Sequence, residues 1–366
     1  MEDNRNMSFG EFQDTLKEKV EQTFYEKGIE ADVILESVQK LNETYHGMRF
    51  VQPDQNVAPT LNLDKVYESY ENGTSMDEIM NRITDFINQP VPTVDVSEIK
   101  DYDAIKDRLF VRVSNAEKND EVLKTLPHTM QDDMAVTYHI MFSKGRDGIA
   151  SAPVNEGMLE TYGVTVEQLH EDAMRSSQNI LPVEIMPMST IANHLMEEQM
   201  KEMGFDEQEI QDYLAEMQVD TGMYVVSNEA RVNGASAIFY PGVMDQIAEQ
   251  FDGDFFILPS STDEVIVIPD TGEQRACELN AMVQEVNATQ VSEEMRLGNE
   301  AYHYDADEKV FEKAASFEER MAERSSEKEV AGEKGSILKK LDEKKQEVKE
   351  QMKDAVTPKR TAEVAL

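Results

Sequence analysis

The acidic side chains are concentrated in the part of the chain that has to fold, and this limits its structures and partners. The 366 residues carry 74 Asp and Glu against 35 Lys and Arg, a net charge of −39 at pH 7. Residues 151–300 hold 29 acidic and 5 basic side chains, whereas residues 301–366 hold 16 and 14. An acidic surface repels nucleic acid and anionic lipid and attracts basic protein patches. We therefore expect protein partners with a basic surface, and no direct binding of nucleic acid or membranes.

Length and composition fit a globular protein of two domains, or of one large domain with an appendage. Apolar residues make up 40% of the chain, and because there are 22 Met and no Trp, Met and aliphatic side chains must fill much of the core. The single cysteine, Cys277, excludes an intramolecular disulfide and a cysteine metal cluster. The N-terminus does not resemble a signal peptide, and no apolar stretch reaches the ~18 to 20 residues of a membrane span. These features predict a soluble, cytoplasmic protein.

Capping residues and periodicity predict an N-terminal α/β subdomain over residues 8–90. Ser8 and Glu11 form a capping box before apolar residues at helical spacing. The segment 31–51 fits either a helix or a strand pair, and we favour the strand pair. The predicted elements are an opening helix ending near Gly28, strands in 31–51 around a turn at 42–47, helices over 61–70 and 75–87, and a linker over 88–98.

Short strands separated by helices predict an α+β (mixed α/β) fold for a main subdomain over 97–304, continuous with 8–90 or separate from it. The expected architecture is a mixed sheet with antiparallel hairpins covered by helices. The clearest hairpin signal lies over 136–154, around the turn sequence SKGRDG, and the segment SAIFY at 236–240 is predicted as a further strand. Residues 305–366 are nearly balanced in charge and poor in large apolar groups, which predicts a charged helical or disordered tail.

Two pairs of histidine and glutamate are the first candidates for a metal site. Glu167 and His170 lie one helical turn apart, as do His194 and Glu197. Carboxylate-bridged metal sites need several such helices that converge, and in a chain with 74 acidic residues this spacing arises readily by chance. We therefore expect no bound metal and no cofactor.

The motifs of common enzymes are absent from the sequence. It contains neither of the glycine-rich motifs that bind phosphate groups, G-x-x-x-x-G-K-[ST] and G-x-G-x-x-G. It also contains no G-x-S-x-G nucleophile elbow. Ser260 and Ser261 fall in a loop between two predicted strands, which is typical of a β-turn. Asp252 and Asp254 flank a glycine but lack the other oxygen ligands of a calcium loop. These observations favour a non-enzymatic protein.

Residues 155–177 imitate a helix-turn-helix, with a glycine turn between two predicted helices. A DNA reader needs basic side chains on or beside its second helix, and this segment is acidic with Arg175 as its one basic residue. The charge argues against DNA binding. It leaves open the opposite role, a protein whose ordered carboxylates mimic nucleic acid and inhibit a DNA-acting enzyme.

Three stretches resemble a family of uncharacterised Firmicutes proteins, found in gut Clostridia and often near mobile elements, that is catalogued as a domain of unknown function. They are VAPTLNLDKVYESYENGTSMDEI (57–79), DMAVTYHIMFSKGRDGIASAPVNEGMLETYGVTVEQLHEDA (133–173) and GASAIFYPGVMDQIAEQFDGDFFILPSSTDEVIVIPD (234–270). A more distant likeness to a Bacillus-type family follows from the hairpin and the YGVTVEQLH, YPG and LPSS segments. The resemblance implies strands in 31–51 and one module up to Tyr304, and it implies no activity or site residue.

The sequence thus favours an acidic, non-enzymatic protein-interaction module, with a link to mobile elements implied by the resemblance. The alternatives are a nucleic-acid mimic and a hydrolase or metal enzyme. Turn residues beside strands are where binding groups collect, so they form the expected contact surface. These residues are Asn155, Tyr240, Pro241, Pro259, Ser260 and Ser261.

Overall fold

The fold is known from a computed structural model, which describes residues 7–53, 55, 58–88, 96–145, 148–216, 222–326, 340 and 344–346. Helices combine with sheets of antiparallel strands, so the predicted α+β class is confirmed. The chain separates into two compact units, residues 1–311 and 312–366. Among the described residues, no helix combines the length and the apolar character needed to cross a membrane.

The helices and strands have the following bounds. The α-helices are α1 (Phe9–Lys27), α2 (Leu63–Glu71), α3 (Met76–Asn88), α4 (Val96–Ile99), α5 (Tyr102–Ile105), α6 (Asp120–Leu123), α7 (Glu156–Tyr162), α8 (Val166–Ile180), α9 (Met188–Glu202), α10 (Glu207–Glu216), α11 (Val243–Phe251) and α12 (Ala276–Thr289). Short 3₁₀ helices cover Lys106–Arg108, Gly234–Phe239 and Glu293–Met295, and a helix covers residues 314–326. The strands are β1 (Asp32–Lys40), β2 (Glu43–Val51), β3 (Thr60–Asn62), β4 (Leu109–Asn115), β5 (His128–Gln131), β6 (Met134–Gly145), β7 (Gly148–Pro153), β8 (Val183–Pro187), β9 (Tyr224–Asn228), β10 (Phe255–Leu258), β11 (Val265–Pro269), β12 (Tyr302–Asp305) and β13 (Val310–Lys313).

The N-terminal elements enclose a core of their own. Helix α1 begins at the predicted capping box, where Ser8 and Glu11 satisfy each other's backbone N–H groups, and it ends at Gly28 in the left-handed conformation. Its apolar face packs with residues from the sheet β1–β2–β3 and from helices α2 and α3. The buried side chains of α1 recur every four residues and are Phe12, Leu16, Val20 and Phe24.

Strands β1 and β2 form the predicted hairpin of residues 31–51, with a turn shorter than expected. Lys40 pairs with Glu43, so only Leu41 and Asn42 connect the strands. Asn42 has a φ of 66°, a left-handed conformation that Asn tolerates in turns. The predicted turn over 42–47 is therefore wrong, since residues from Glu43 onward belong to β2.

The sheet β4–β6–β5, extended by β7, has two faces of opposite character. Side chains alternate between the faces of a strand, and one face carries the apolar residues of β4 and β6, which pack in the larger core with helix α8. The other face carries Arg112, Thr137 and His139, of which the last two are buried. A buried polar face needs partners, because an unpaired polar group away from water is costly.

The six-stranded sheet has the order β13–β12–β10–β11–β9–β8. Strands β8 to β12 pair antiparallel, and the inward residues of β9 to β12 contribute to the same core as the apolar face of the four-stranded sheet. Helices α9 and α10 lie between β8 and β9 in sequence. The segment SAIFY, predicted as a strand, instead lies mainly in the 3₁₀ helix Gly234–Phe239. Its small residues Ser236 and Ala237 are buried there, and apolar character alone does not distinguish a short strand from a buried helical turn.

Other predicted boundaries differ by a few residues. The predicted linker over 88–98 falls mostly outside the described residues, and its last part lies in helix α4. Strand β13 follows the predicted end of the module at 304.

A pair of asparagine side chains attaches the turn of the β1–β2 hairpin to the segment after β4. The Asn42 backbone N–H donates to Asn119 Oδ1 (2.5 Å), and Asn119 Nδ2 donates to Asn42 Oδ1 (2.6 Å) and to the Asn115 carbonyl (2.7 Å). Both side chains are buried, with exposures of 8% for Asn42 and 2% for Asn119. This amide pair fixes where the hairpin turn lies relative to the polar face of the four-stranded sheet.

We expect Asn119→Ala to lower the free energy of unfolding by about 1–3 kcal/mol, because it leaves the buried Asn42 N–H and amide oxygen without Asn119. Denaturant unfolding measures this loss. Asn81→Ala is the matched control: Asn81 is exposed on α3, so the same substitution should change stability by less than about 0.5 kcal/mol. Equal effects for the two variants would show that the amide pair does not hold the hairpin.

Candidate functional site

A cavity of about 740 Å³ lies against the polar face of the four-stranded sheet. We call it the Arg112 cavity. Its walls come from the β1–β2 hairpin around its turn, from strands β4, β6 and β7, from helix α6 and the 3₁₀ helix Glu293–Met295, and from four loops. The residues that the argument uses are Asn42, Arg112, His139, Asn155, Asn233, Thr262, Asp263 and Glu294. The volume is in the range of small-molecule sites, ~300–1,000 Å³.

Among the described residues that line this cavity, Arg112 is the one arginine, and Lys40 is the other basic side chain. Burial lowers the pKa of its guanidinium, and the nearby Asp263 carboxylate partly opposes that effect. An arginine nevertheless stays protonated in proteins. Within the part of the chain that the structure describes, no carboxylate oxygen lies within 4.0 Å of the guanidinium. The cavity therefore contains a positive charge that no described carboxylate neutralises by contact.

The carboxylate of Asp263 is the negative charge that acts on Arg112. Burial raises the pKa of its carboxyl, while the hydrogen bond from the Asn233 backbone N–H (2.7 Å) and the charge of Arg112 lower it. For both Arg112 and Asp263 the effect of burial exceeds their mutual attraction, since each pKa is shifted towards the neutral form. The two groups influence each other across the cavity without forming a contact ion pair.

His139 lines the same cavity and is neutral. Burial and the positive charge of Arg112 hold the pKa of its imidazole well below the usual range. Its Nε2 atom lies 3.1 Å from the hydroxyl of Thr137, which can donate to the Arg112 carbonyl (3.4 Å). The imidazole adds a polar group without a second positive charge.

The loop from Asn228 to Gly234 is held in a strained conformation at the edge of the cavity. Arg231 and Asn233 have φ values of 51° and 53°, which residues other than glycine rarely adopt. The Asn228 side chain stabilises the loop by donating to the Val232 carbonyl (2.9 Å) and accepting from the Ala230 N–H (3.0 Å). Gly234 packs so tightly that a Cβ atom would lie 2.5 Å from the Asp263 carbonyl oxygen. This packing positions Asn233 to hold the Asp263 carboxylate.

The residues predicted as one contact surface line three different depressions. Asn155 lines the Arg112 cavity, where its side-chain oxygen caps α7 by accepting from the Met158 N–H (2.9 Å). Ser261 precedes the cavity residue Thr262 and accepts from the Asp263 N–H (3.1 Å). The other four lie elsewhere, Tyr240 and Pro241 beside α11 and Pro259 and Ser260 beside α12. Tyr240 is also a core residue, with 2% exposure. Their role in binding stays a prediction.

The histidine pairs considered for metal binding have other partners. His170 Nδ1 contacts the hydroxyl groups of Thr129 (3.2 Å) and Tyr138 (3.1 Å). His194 lies 3.7 Å from Glu198, while Glu197 pairs with Lys201 at 2.6 Å. Helix α8, the second helix of the segment that imitates a helix-turn-helix, buries Leu169, Ala173 and Met174 in the core.

Sequence reasoning missed Arg112, His139 and Asp263. The available signal was an arginine within the apolar run Leu109–Val113, since a charge in a strand that is otherwise buried needs a partner. The alternation in β6 was recognised, but its polar positions give no indication of whether they face water or a cavity.

The fold and the cavity describe an α+β protein with a small-molecule-sized polar site. Residues 9–306 match the sequence model of the Family of unknown function (DUF5688), and the chain belongs to this family. The predicted resemblance to a domain of unknown function is thereby confirmed. Comparisons with curated proteins and with solved structures give no match.

Gly234→Ala should destabilise the protein by about 1–3 kcal/mol, because the added methyl group meets the Asp263 carbonyl and the Asn228 nitrogen, both backbone atoms. Thermal or denaturant unfolding measures the change. Gly10→Ala provides the control, since nothing lies within 4 Å of its Cβ position on α1, and it should be neutral or slightly stabilising. An equally harmless Gly234→Ala would contradict the tight packing of this loop.

Proposed function

We propose that this chain is a binding module for a small anion, whose carboxylate or phosphate group pairs with Arg112. The observation that carries the proposal is the charged guanidinium that lines a 740 Å³ cavity with no carboxylate of the described residues in contact with it. Arginine presents a planar set of donors that matches carboxylate and phosphate oxygens in a two-point interaction. A cavity of this size admits a small molecule and excludes a folded partner.

The net negative charge of the protein strengthens the argument for an anion site at Arg112. At net −39 the protein repels anions at long range, so attraction to the site has to arise locally. A partly buried cation without a contact partner also costs stability, and such costs are characteristic of binding sites. The neutral His139 and the carboxyl of Asp263 supply polar groups that can orient a ligand without competing as cations.

Inorganic phosphate and succinate are suitable probes, with sodium chloride at equal ionic strength to correct for general screening of the acidic surface. We expect either probe to raise the melting temperature of the wild-type protein beyond the effect of chloride. At a free concentration of 100 times Kd, binding contributes about 2.7 kcal/mol to stability. Arg112→Gln should abolish the specific increase, and without ligand it should be as stable as the wild type or more stable, because it removes a desolvated charge.

Arg108→Gln is the control for loss of a positive charge. Arg108 lies just before β4 and pairs with Glu98 at 3.3 Å, outside the residues that line the cavity. It should retain the wild-type response to both probes. An unchanged response in Arg112→Gln, or a wild-type response no larger than that to chloride, would contradict the proposal.

A second candidate function, protein interaction, is favoured by helices α9 and α10. Four large apolar side chains with an exposure of 40% or more lie on this segment: Leu195 (55%), Met203 (66%), Phe205 (45%) and Tyr213 (40%). Residues 188–216 also contain eight acidic side chains and one lysine. Exposed apolar groups surrounded by carboxylates suit a basic amphipathic helix as partner, which would supply apolar anchors and complementary charge.

A synthetic amphipathic helix of Leu and Lys tests this surface by fluorescence anisotropy. The double variant Leu195→Ser with Phe205→Ser should weaken binding at least about tenfold, because anchor residues dominate such interfaces. Tyr25→Ser should bind like the wild type, since Tyr25 is an exposed aromatic residue (88%) on α1. Equal losses in both variants would indicate attraction by charge alone and would refute an apolar docking site.

The nucleic-acid mimic, the hydrolase alternative, the association with mobile elements and the cytoplasmic location stay predictions from the sequence. Neither the Arg112 cavity nor the α9–α10 surface supports one of them specifically.

A further inference from the structure

Three side chains of the types that can bind a metal ion lie close together beside strands β10, β11 and β12. Asp254 directly precedes β10, Asp270 directly follows β11, and His303 lies on β12. The register places Phe256 opposite both Ile268 and His303, so these positions share one face of the sheet, and Asp254 and Asp270 continue it by alternation. The residues on the opposite face of these strands, such as Phe255 and Val267, belong to the core.

The donor atoms of these three residues lie close together. His303 Nε2 is 3.1 Å from Asp270 Oδ2 and 3.9 Å from Asp254 Oδ2, and one ligand atom from each residue lies within 4.8 Å of the others. Metal–ligand bonds of ~2.0–2.2 Å in tetrahedral geometry place donor atoms roughly 3.3 Å apart. The His303–Asp270 distance is already close to that spacing, and the Asp254 carboxylate would have to move towards the other two donors to reach it.

Both carboxylates are oriented by the backbone. Asp254 Oδ1 accepts from the Ala306 N–H (2.8 Å), and Asp270 Oδ1 accepts from the Gly272 N–H (2.7 Å). Each carboxylate therefore has one oxygen fixed and presents the other to His303. Hydrogen bonds of this kind hold the ligands of metal sites in position before the ion binds.

A proton on His303 Nε2 can form a good hydrogen bond with only one of the two carboxylates. The imidazole of His303 is fully buried between the two carboxylates. A proton on Nε2 serves the carboxylate of Asp270 at 3.1 Å and reaches that of Asp254, at 3.9 Å, poorly. A dication contacts all three donors at once and balances two carboxylates.

We propose that Asp254, Asp270 and His303 form a site for a first-row divalent cation such as Zn²⁺. The mixed nitrogen and oxygen ligands suit this class of ion better than calcium or magnesium, which prefer oxygen alone. The Asp254 side chain is 34% exposed, so ions can enter from solvent and water can complete the coordination. The ion would join three strand ends that are distant in sequence, and it would stabilise the six-stranded sheet.

The test uses the full-length protein after treatment with a chelator and removal of the chelator. Equilibrium dialysis against Zn²⁺, with a competing chelator dye, measures affinity and stoichiometry, and circular dichroism checks the fold. We expect one ion bound per chain with a higher melting temperature. Asp254→Asn keeps the shape of the side chain and its acceptor for Ala306, and it should weaken Zn²⁺ binding at least about tenfold.

Asp252→Asn is the matched control, with the same change of charge two residues away. Asp252 ends α11 in the left-handed conformation, which Asn also tolerates, and it is not among the converging ligands. Asp270→Asn provides a second variant, which should lose Zn²⁺ as Asp254→Asn does. Equal affinities for Asp252→Asn and Asp254→Asn would place the ion elsewhere and overturn the proposal, as would the absence of binding to the wild-type protein.

Discussion

The charge of Arg112 on the polar face of the four-stranded sheet is the constraint on which the rest of the candidate site depends. One face of this sheet packs in the core, and the other face, which carries Arg112, borders the cavity. Among the described residues, no carboxylate that covers this second face contacts the guanidinium. The hairpin turn at Asn42, fixed by Asn119, supplies one wall from the N-terminal elements. Hydrogen bonds between Asn42 and Asn119 thus link the N-terminal hairpin to the segment after β4 at the rim of the cavity.

On the opposite wall of the cavity, the Asp263 carboxylate lies near Arg112 without contacting it. Asp263 is held by the Asn233 N–H, and Asn233 occupies a strained conformation that the tight packing of Gly234 supports. Backbone strain persists where the surrounding structure over-determines it, and it is concentrated at functional sites. Burial, rather than pairing, dominates the pKa values of both Arg112 and Asp263, as expected for charges that share a cavity without contact.

Local sequence signals predicted the elements that depend on neighbours in the chain. The capping box at Ser8, the end of α1 near Gly28 and the hairpin of β6 and β7 are encoded within a few residues, and the sequence predicts each of them. The 3₁₀ helix Gly234–Phe239 was mistaken for a strand because its burial comes from tertiary packing. The cavity was not predictable, since Arg112, His139 and Asp263 are distant in sequence and the signs of a buried polar face resemble those of a solvated one.

Crystals soaked in selenate, an anion that resembles phosphate and scatters anomalously, test the central claim most directly. The account predicts an anomalous difference peak within hydrogen-bond distance of the Arg112 guanidinium, inside the cavity bounded by Asn42, His139 and Asp263. It would be contradicted by a guanidinium in direct contact with the Asp263 carboxylate and no selenate peak in the cavity.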